Sequence, residues 1–220
     1  MKKQRISAQT IAGLAIMTAI VIVLQLVGSS IHFGPFSISL VLLPIVVGAA
    51  LYGPLAGAWL GFVFSLVVLI VGDAAAFLAI DVFGTIVTVI LKGTLAGLVA
   101  GLVYKAFSKP IFKNQEDEAA PEKAAAANRE QEKSFVKSHL GVILAAITCP
   151  VINTGLFLVG CAVFFLPTLR EWGLSAGYEN VTAYMFLGLV GGNFLVELLI
   201  NLLLSPVIVQ LIRIGKRRLR

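Results

Sequence analysis

Six apolar segments, at about residues 11–28, 36–52, 55–71, 82–104, 140–166 and 182–212, leave this chain few ways to fold. Each is near or above the roughly 17 to 25 residues that carry a helix across the hydrocarbon of a bilayer. With 59% of its 220 residues apolar and only 13% charged, the chain has more hydrophobic surface than one soluble core of ordinary composition can hide. An outer-membrane barrel would be written as short alternating segments, and none is visible. The expected fold is an all-α membrane protein: a six-transmembrane-helix bundle forming one integral-membrane domain over residues 1–220.

Charge sets the expected orientation. Lys2, Lys3 and Arg5 precede the first segment; Lys105, Lys109, Lys113, Lys123, Arg129, Lys133 and Lys137 lie at or between the fourth and fifth; Arg213, Lys216, Arg217, Arg218 and Arg220 close the chain. Cytoplasmic loops collect lysine and arginine, and six spans put all three clusters on that side, N-in and C-in. The net charge of +6 then follows from topology and calls for no nucleic acid. The basic start before an apolar run resembles a secretory signal, but the run is long and lacks a small-x-small cleavage site, so it reads as a retained first helix. Cys149 and Cys161 fall on one predicted helix about 18 Å apart, too far for a disulfide between them.

The fourth segment carries a lysine near its middle. Asp81, Thr85, Thr88 and Lys92 are spaced by four, three and four, which places them on one helical face. A lysine at mid-bilayer depth costs roughly 2.5 to 3.5 kcal/mol on the insertion scale, so it needs a partner or a watery cavity. Gly93, Gly97 and Gly101 recur on a neighbouring face, where a second helix can approach closely. The sixth segment has its own stripe, Asn193, Glu197 and Asn201, and the fifth has Pro150 followed by Asn153, Thr154 and Gly155. Two readings of Lys92 and Glu197 stay open: they pair and lock the bundle, with Asn153 and Asn193 bridging helices, or they line a site for a polar solute.

Elsewhere, Ala8, Ala12, Ala15 and Ala19 share a face of the first helix, and Gly53-Pro54 marks a tight hairpin between the second and third. Tyr52 and Tyr104 read as interfacial anchors. The apolar loop from Gly72 to Ile80, with Asp73 in it, is a candidate lid. Residues 108–138 shift to QEDEAAPEKAAAANREQEKS, a charged Ala-rich cytoplasmic linker. Phosphate-loop, HExxH and GxSxG motifs and Cys/His clusters are absent from the sequence, and Thr88 one turn from Lys92 is a weak nucleophile and base pair, so an enzyme is not expected.

The first-helix run Ala15-Ile16-Met17-Thr18-Ala19 and the stretch SLVLLPIVVGAALYGPLAGAWLGFVFSLVVLI resemble the S component, the membrane-embedded substrate-capture subunit of energy-coupling factor (ECF) vitamin transporters. The phrases LPIVVGA and YGPLAGAWLG look like the second and third helices and their turn in riboflavin, pantothenate and folate S components. The resemblance spans the chain outside residues 108–138, a linker longer than the family's. It implies a subunit of the bacterial plasma membrane that binds a vitamin near its outer face. Such a subunit docks through first-helix alanines, here Ala15 and Ala19, on a transmembrane coupling subunit. Two cytoplasmic ATPases then drive release as the subunit topples. Lys92, Asn153, Asn193, Glu197 and Thr88 become the substrate-binding candidates; the chain itself holds no cofactor or metal, and ATP is used by its partners. Lys92 would suit the carboxylate of pantothenate or folate, which slightly favours pantothenate, with riboflavin next. The alternative is a self-sufficient secondary carrier for a small polar solute, in which Lys92 and Glu197 act as a proton-linked switch; two related halves would favour it, and no convincing internal repeat is visible.

Overall fold

A computed structural model describes residues 8–30, 32–33, 36–37, 40–108 and 121–218, with side chains omitted at 31–39, 109–139, 213 and 216–220. Lys2, Lys3, Arg5, Lys109, Lys113 and Arg220, and the side chains of Lys123, Arg129, Lys133, Lys137, Arg213, Lys216, Arg217 and Arg218, therefore lie outside the described residues. In chain order come α1 (Ala8–Gly28), a two-rung antiparallel ladder of β1 (His32–Phe33) with β2 (Phe36–Ser37), α2 (Leu42–Tyr52) and α3 (Pro54–Val71). Next are α4 (Ala75–Leu78), α5 (Val82–Phe107) and α6 (Pro121–Phe164). The chain ends with α7 (Leu166–Ser175), α8 (Val181–Ala183), a π-helix (Tyr184–Leu189), α9 (Gly191–Leu203) and α10 (Ser205–Arg218).

Local chemistry explains most of these limits. Gly53, at φ 98°, turns the chain between α2 and α3 in a conformation that side chains with a Cβ rarely adopt, and Pro54 opens α3 where a missing N–H costs nothing. The second apolar segment is helical only from Leu42; Phe36 and Ser37 pair with β1 instead. Eleven residues rise only about 16 Å, short of the bilayer's roughly 30 Å of hydrocarbon. The second half of the charged linker belongs to α6, which runs unbroken from Pro121 into the fifth apolar segment. Its alanine, glutamate, lysine and glutamine are strong helix formers, and proline suits a first helical position.

Among the described residues, Ala8–Gly28, Pro54–Val71, Val82–Phe107 and Leu140–Phe164 are each long and apolar enough to cross a membrane. Val181–Leu189 and Gly191–Leu203 pass the same test only together, bent by 42° at Val190. Gly191 makes that bend possible, since a Cβ there would stand 2.7 Å from the carbonyl oxygen of Phe186. The outside of the bundle is apolar, with Leu55, Ile70 and Phe83 more than 70% exposed, the arrangement expected of helices solvated by lipid.

Packing centres on α3 against α5. A Cβ on Gly57 or Gly61 would collide with the carbonyls of Gly97 and Gly93, and one on Gly97 or Gly93 with those of Gly57 and Gly61. Ser65 on α3 sits 2.7 Å from the carbonyl oxygen of Val89 and 2.9 Å from that of Gly61, adding a polar tie at the closest approach. Around this seam Leu42, Ile45, Leu60, Phe64, Ala96, Ala100, Ala145 and Cys149 form the main buried cluster. Tyr104, expected at a membrane interface, lies in that cluster at 5% exposure. A second cluster of Phe77, Cys161, Phe165, Leu169 and Met185 closes the end of the bundle where α3 stops and α5 begins. Both cysteines are buried free thiols.

Candidate functional site

Lys92 lies ten residues into α5 from Val82, roughly 15 Å along the axis at 1.5 Å per residue. Its ammonium is held 4.8 Å from the centre of the Phe157 ring on α6, a cation over the negative face of an aromatic. Phe157 stands edge-on to Phe77 at 5.5 Å, and Phe77 also meets Phe165 at 5.0 Å and Trp172 at 5.7 Å. The loop from Gly72 to Ile80 is therefore folded inward through Phe77, which is buried. A chain of ring contacts joins this segment to the lysine.

Lys92, Phe77, Phe157 and Phe165 line a cavity of about 780 Å³ of atom-free space, open solvent at its mouth included. All five polar residues singled out as substrate-binding candidates line it: Thr88 and Lys92 from α5, Asn153 from α6, Asn193 and Glu197 from α9. Three helices thus bring their polar positions to one hollow, the inexpensive solution for ionisable groups within lipid-facing segments. Glu197 is 2% exposed and accepts from the amide nitrogen of Asn193 at 3.3 Å. That bond lies within one helix, so Asn193 does not bridge to another through it. Lys92 and Glu197 border the hollow together.

Sequence reasoning did not assign several other lining residues to the site. Gln25 of α1 and Asp73 beyond α3 both face it, and they are joined: Gln25 Nε2 donates to Asp73 Oδ2 at 2.7 Å, and the Ser29 hydroxyl donates to the same oxygen at 2.7 Å. A buried glutamine in an oily first helix was the available signal. Thr85 and Thr154 also line the cavity, and Thr85 donates to the Asp81 carbonyl at 2.6 Å. Phe64, Phe77, Phe157, Phe165 and Phe194 supply apolar walls. Gly160 lets α6 approach α5 at Thr88, whose side chain occupies the place of a Cβ at that position.

Ala15 and Ala19 are not in the cavity. With Ala8 and Ala12 they lie on the exposed side of α1, while Val21 and Gln25 of the same helix are buried. Among the described residues nothing hides the four alanines.

The chain thus combines helices able to span a membrane, a hollow that takes polar groups from several helices, and an exposed small-residue face on α1. No curated protein and no solved structure matches the chain. A family model described as "ECF transporter, substrate-specific component" matches residues 9–209. The chain belongs to the substrate-specific components of ECF transporters.

Proposed function

We propose that the chain is the capture subunit of an ECF-type importer of the bacterial plasma membrane. It takes up a water-soluble, vitamin-type solute from the outer side into the cavity beside Lys92. In this reading the bundle crosses the membrane six times with both termini inside, α2 being completed as a span by its surroundings. The end closed by Phe77 faces outward, and the Gly72–Ile80 segment covers the solute. Thr88, Lys92, Asn153, Asn193 and Glu197 contact it. Ala15 and Ala19 dock on the transmembrane coupling subunit, whose two ATPases consume the ATP; this chain contributes neither catalysis nor a cofactor.

The observation that carries the reading is the convergence of those five polar side chains, from three separate helices, on one cavity. A structural pair alone would not require a hollow beside it, and closing the gap would recover packing energy. Two measurements test the proposal. Detergent-purified protein should gain thermal stability from one vitamin of a panel, since a ligand bound only to the folded state raises apparent stability by mass action. Gentle purification from native membranes should bring an ATPase module with it. A chain that transports unaided in proteoliposomes would instead be a secondary carrier.

A further inference from the structure

Two amides in the cavity have their orientation fixed by a carboxylate. Gln25 turns its amide nitrogen to Asp73, and Asn193 turns its own to Glu197. A carboxylate accepts hydrogen bonds and does not donate them, so in each amide the nitrogen faces the acid and the carbonyl oxygen is left over. Both left-over oxygens, Gln25 Oε1 and Asn193 Oδ1, are buried without a hydrogen-bond partner among the described residues, as are Asn153 Oδ1 and Thr88 Oγ1. Gln25 is 1% exposed and Asn153 6%. Native interiors rarely leave such atoms unpaired, so the three amide oxygens call for an N–H or O–H donor, whereas the Thr88 hydroxyl can itself donate.

The charges agree. Lys92 is the only basic side chain among the described lining residues, set against the carboxylates of Asp73 and Glu197. A cargo carrying an acid group would bring a third anion to a hollow already lined by two, and would present acceptors to carbonyl oxygens that need donors.

Resting on the capture reading above, we infer that the cargo bears several N–H or O–H donors and no acid group. Gln25 and Asn193 receive those donors through their carbonyl oxygens, with Asn153 beside them. Among the three vitamins considered from the sequence, this moves the preference from pantothenate and folate to riboflavin.

The test is the stabilisation of the purified full-length chain by matched neutral and acidic probes: riboflavin with riboflavin 5′-phosphate, panthenol with pantothenate, pyridoxine with 4-pyridoxate, nicotinamide with nicotinate. The expected result is a rise in unfolding temperature from the neutral member of one pair, with its acidic partner at least about tenfold weaker. Asn193→Leu should weaken that neutral probe by a similar factor. An acidic member binding as tightly as its neutral partner, or tighter, overturns the inference and leaves capture standing. An undiminished affinity in Asn193→Leu also counts against it. Stabilisation by no member of any pair overturns the inference, while the capture reading is judged separately by co-purification of the ATPase module.

Discussion

Gln25 and Asp73, 48 residues apart in sequence, share a hydrogen bond of 2.7 Å that ties α1 to the segment folded over the cavity. The Ser29 hydroxyl adds a second donor to the same carboxylate oxygen. Asp73→Ala would strand the Ser29 hydroxyl and leave the Gln25 amide nitrogen only its 3.1 Å bond to Ser29 Oγ, and the cost expected from lost charge-assisted bonds is about 1 to 3 kcal/mol. Thermal unfolding in detergent reads it. A double-mutant cycle with Gln25→Met should return a coupling of about 0.5 kcal/mol or more; strictly additive effects would mean that the bond contributes nothing to the folded state.

The seam between α3 and α5 predicts opposite outcomes for two glycines. At Gly97 an added Cβ collides with the backbone of Gly57, which cannot swing aside as a side chain could. Gly97→Ala should therefore destabilise by about 1 to 3 kcal/mol. At Gly155, on the exposed side of α6, a Cβ meets nothing within 4 Å. Gly155→Ala should be neutral or stabilising by up to about 1 kcal/mol. Equal unfolding temperatures for the two variants would show that the helices part easily at the seam.

The polar half of the site was legible in the sequence because each of its members is an anomaly where it stands. Lys92, Asn153, Asn193 and Glu197 interrupt oily segments, and such residues can be tolerated only by facing inward. Gln25 is an anomaly of the same kind, on a different face of α1 from the alanines. The aromatic half was not legible. A phenylalanine in an apolar span violates no rule, so which of the 14 in the chain line the hollow depends on helix rotation and packing. Phe77 shows this best: its loop is readable as apolar, yet only the contacts with Phe157, Phe165 and Trp172 reveal that it plugs one end. The start of α2 was legible in principle, because Phe36-Ser37-Ile38-Ser39-Leu40 alternates apolar and polar residues, a pattern that argues a strand and not a first helical turn.

Lys92→Ala tests whether the lysine serves the solute or only the bundle. Removing the ammonium leaves Glu197, at 2% exposure, with less compensation for its charge, so some loss of intrinsic stability is expected. Adding Glu197→Gln should recover part of that loss by discharging the site. The two roles separate in the ligand response: the vitamin-induced rise in unfolding temperature should vanish in Lys92→Ala and stay absent in the double variant. A full response in either variant, with the protein still monodisperse, would take Lys92 out of the binding site.

Ala15 and Ala19 give the complementary case, in which the fold should not notice a change that the assembled transporter does. Both lie on the exposed side of α1, so a leucine at either position extends away from the buried side of the helix. Substitutions of that kind usually stay within about 0.5 kcal/mol, and the vitamin response should be unchanged. In a membrane, however, helices associate through close approach of their backbones, and a leucine on a small-residue face holds a partner helix away. Co-purification with the coupling subunit and vitamin uptake by cells should therefore both fall, most in the double variant, while Ile20→Leu on the same exposed side should cost little. If the alanine variants instead lose thermal stability, the face packs within this chain; if they co-purify and transport undiminished, the docking surface lies elsewhere.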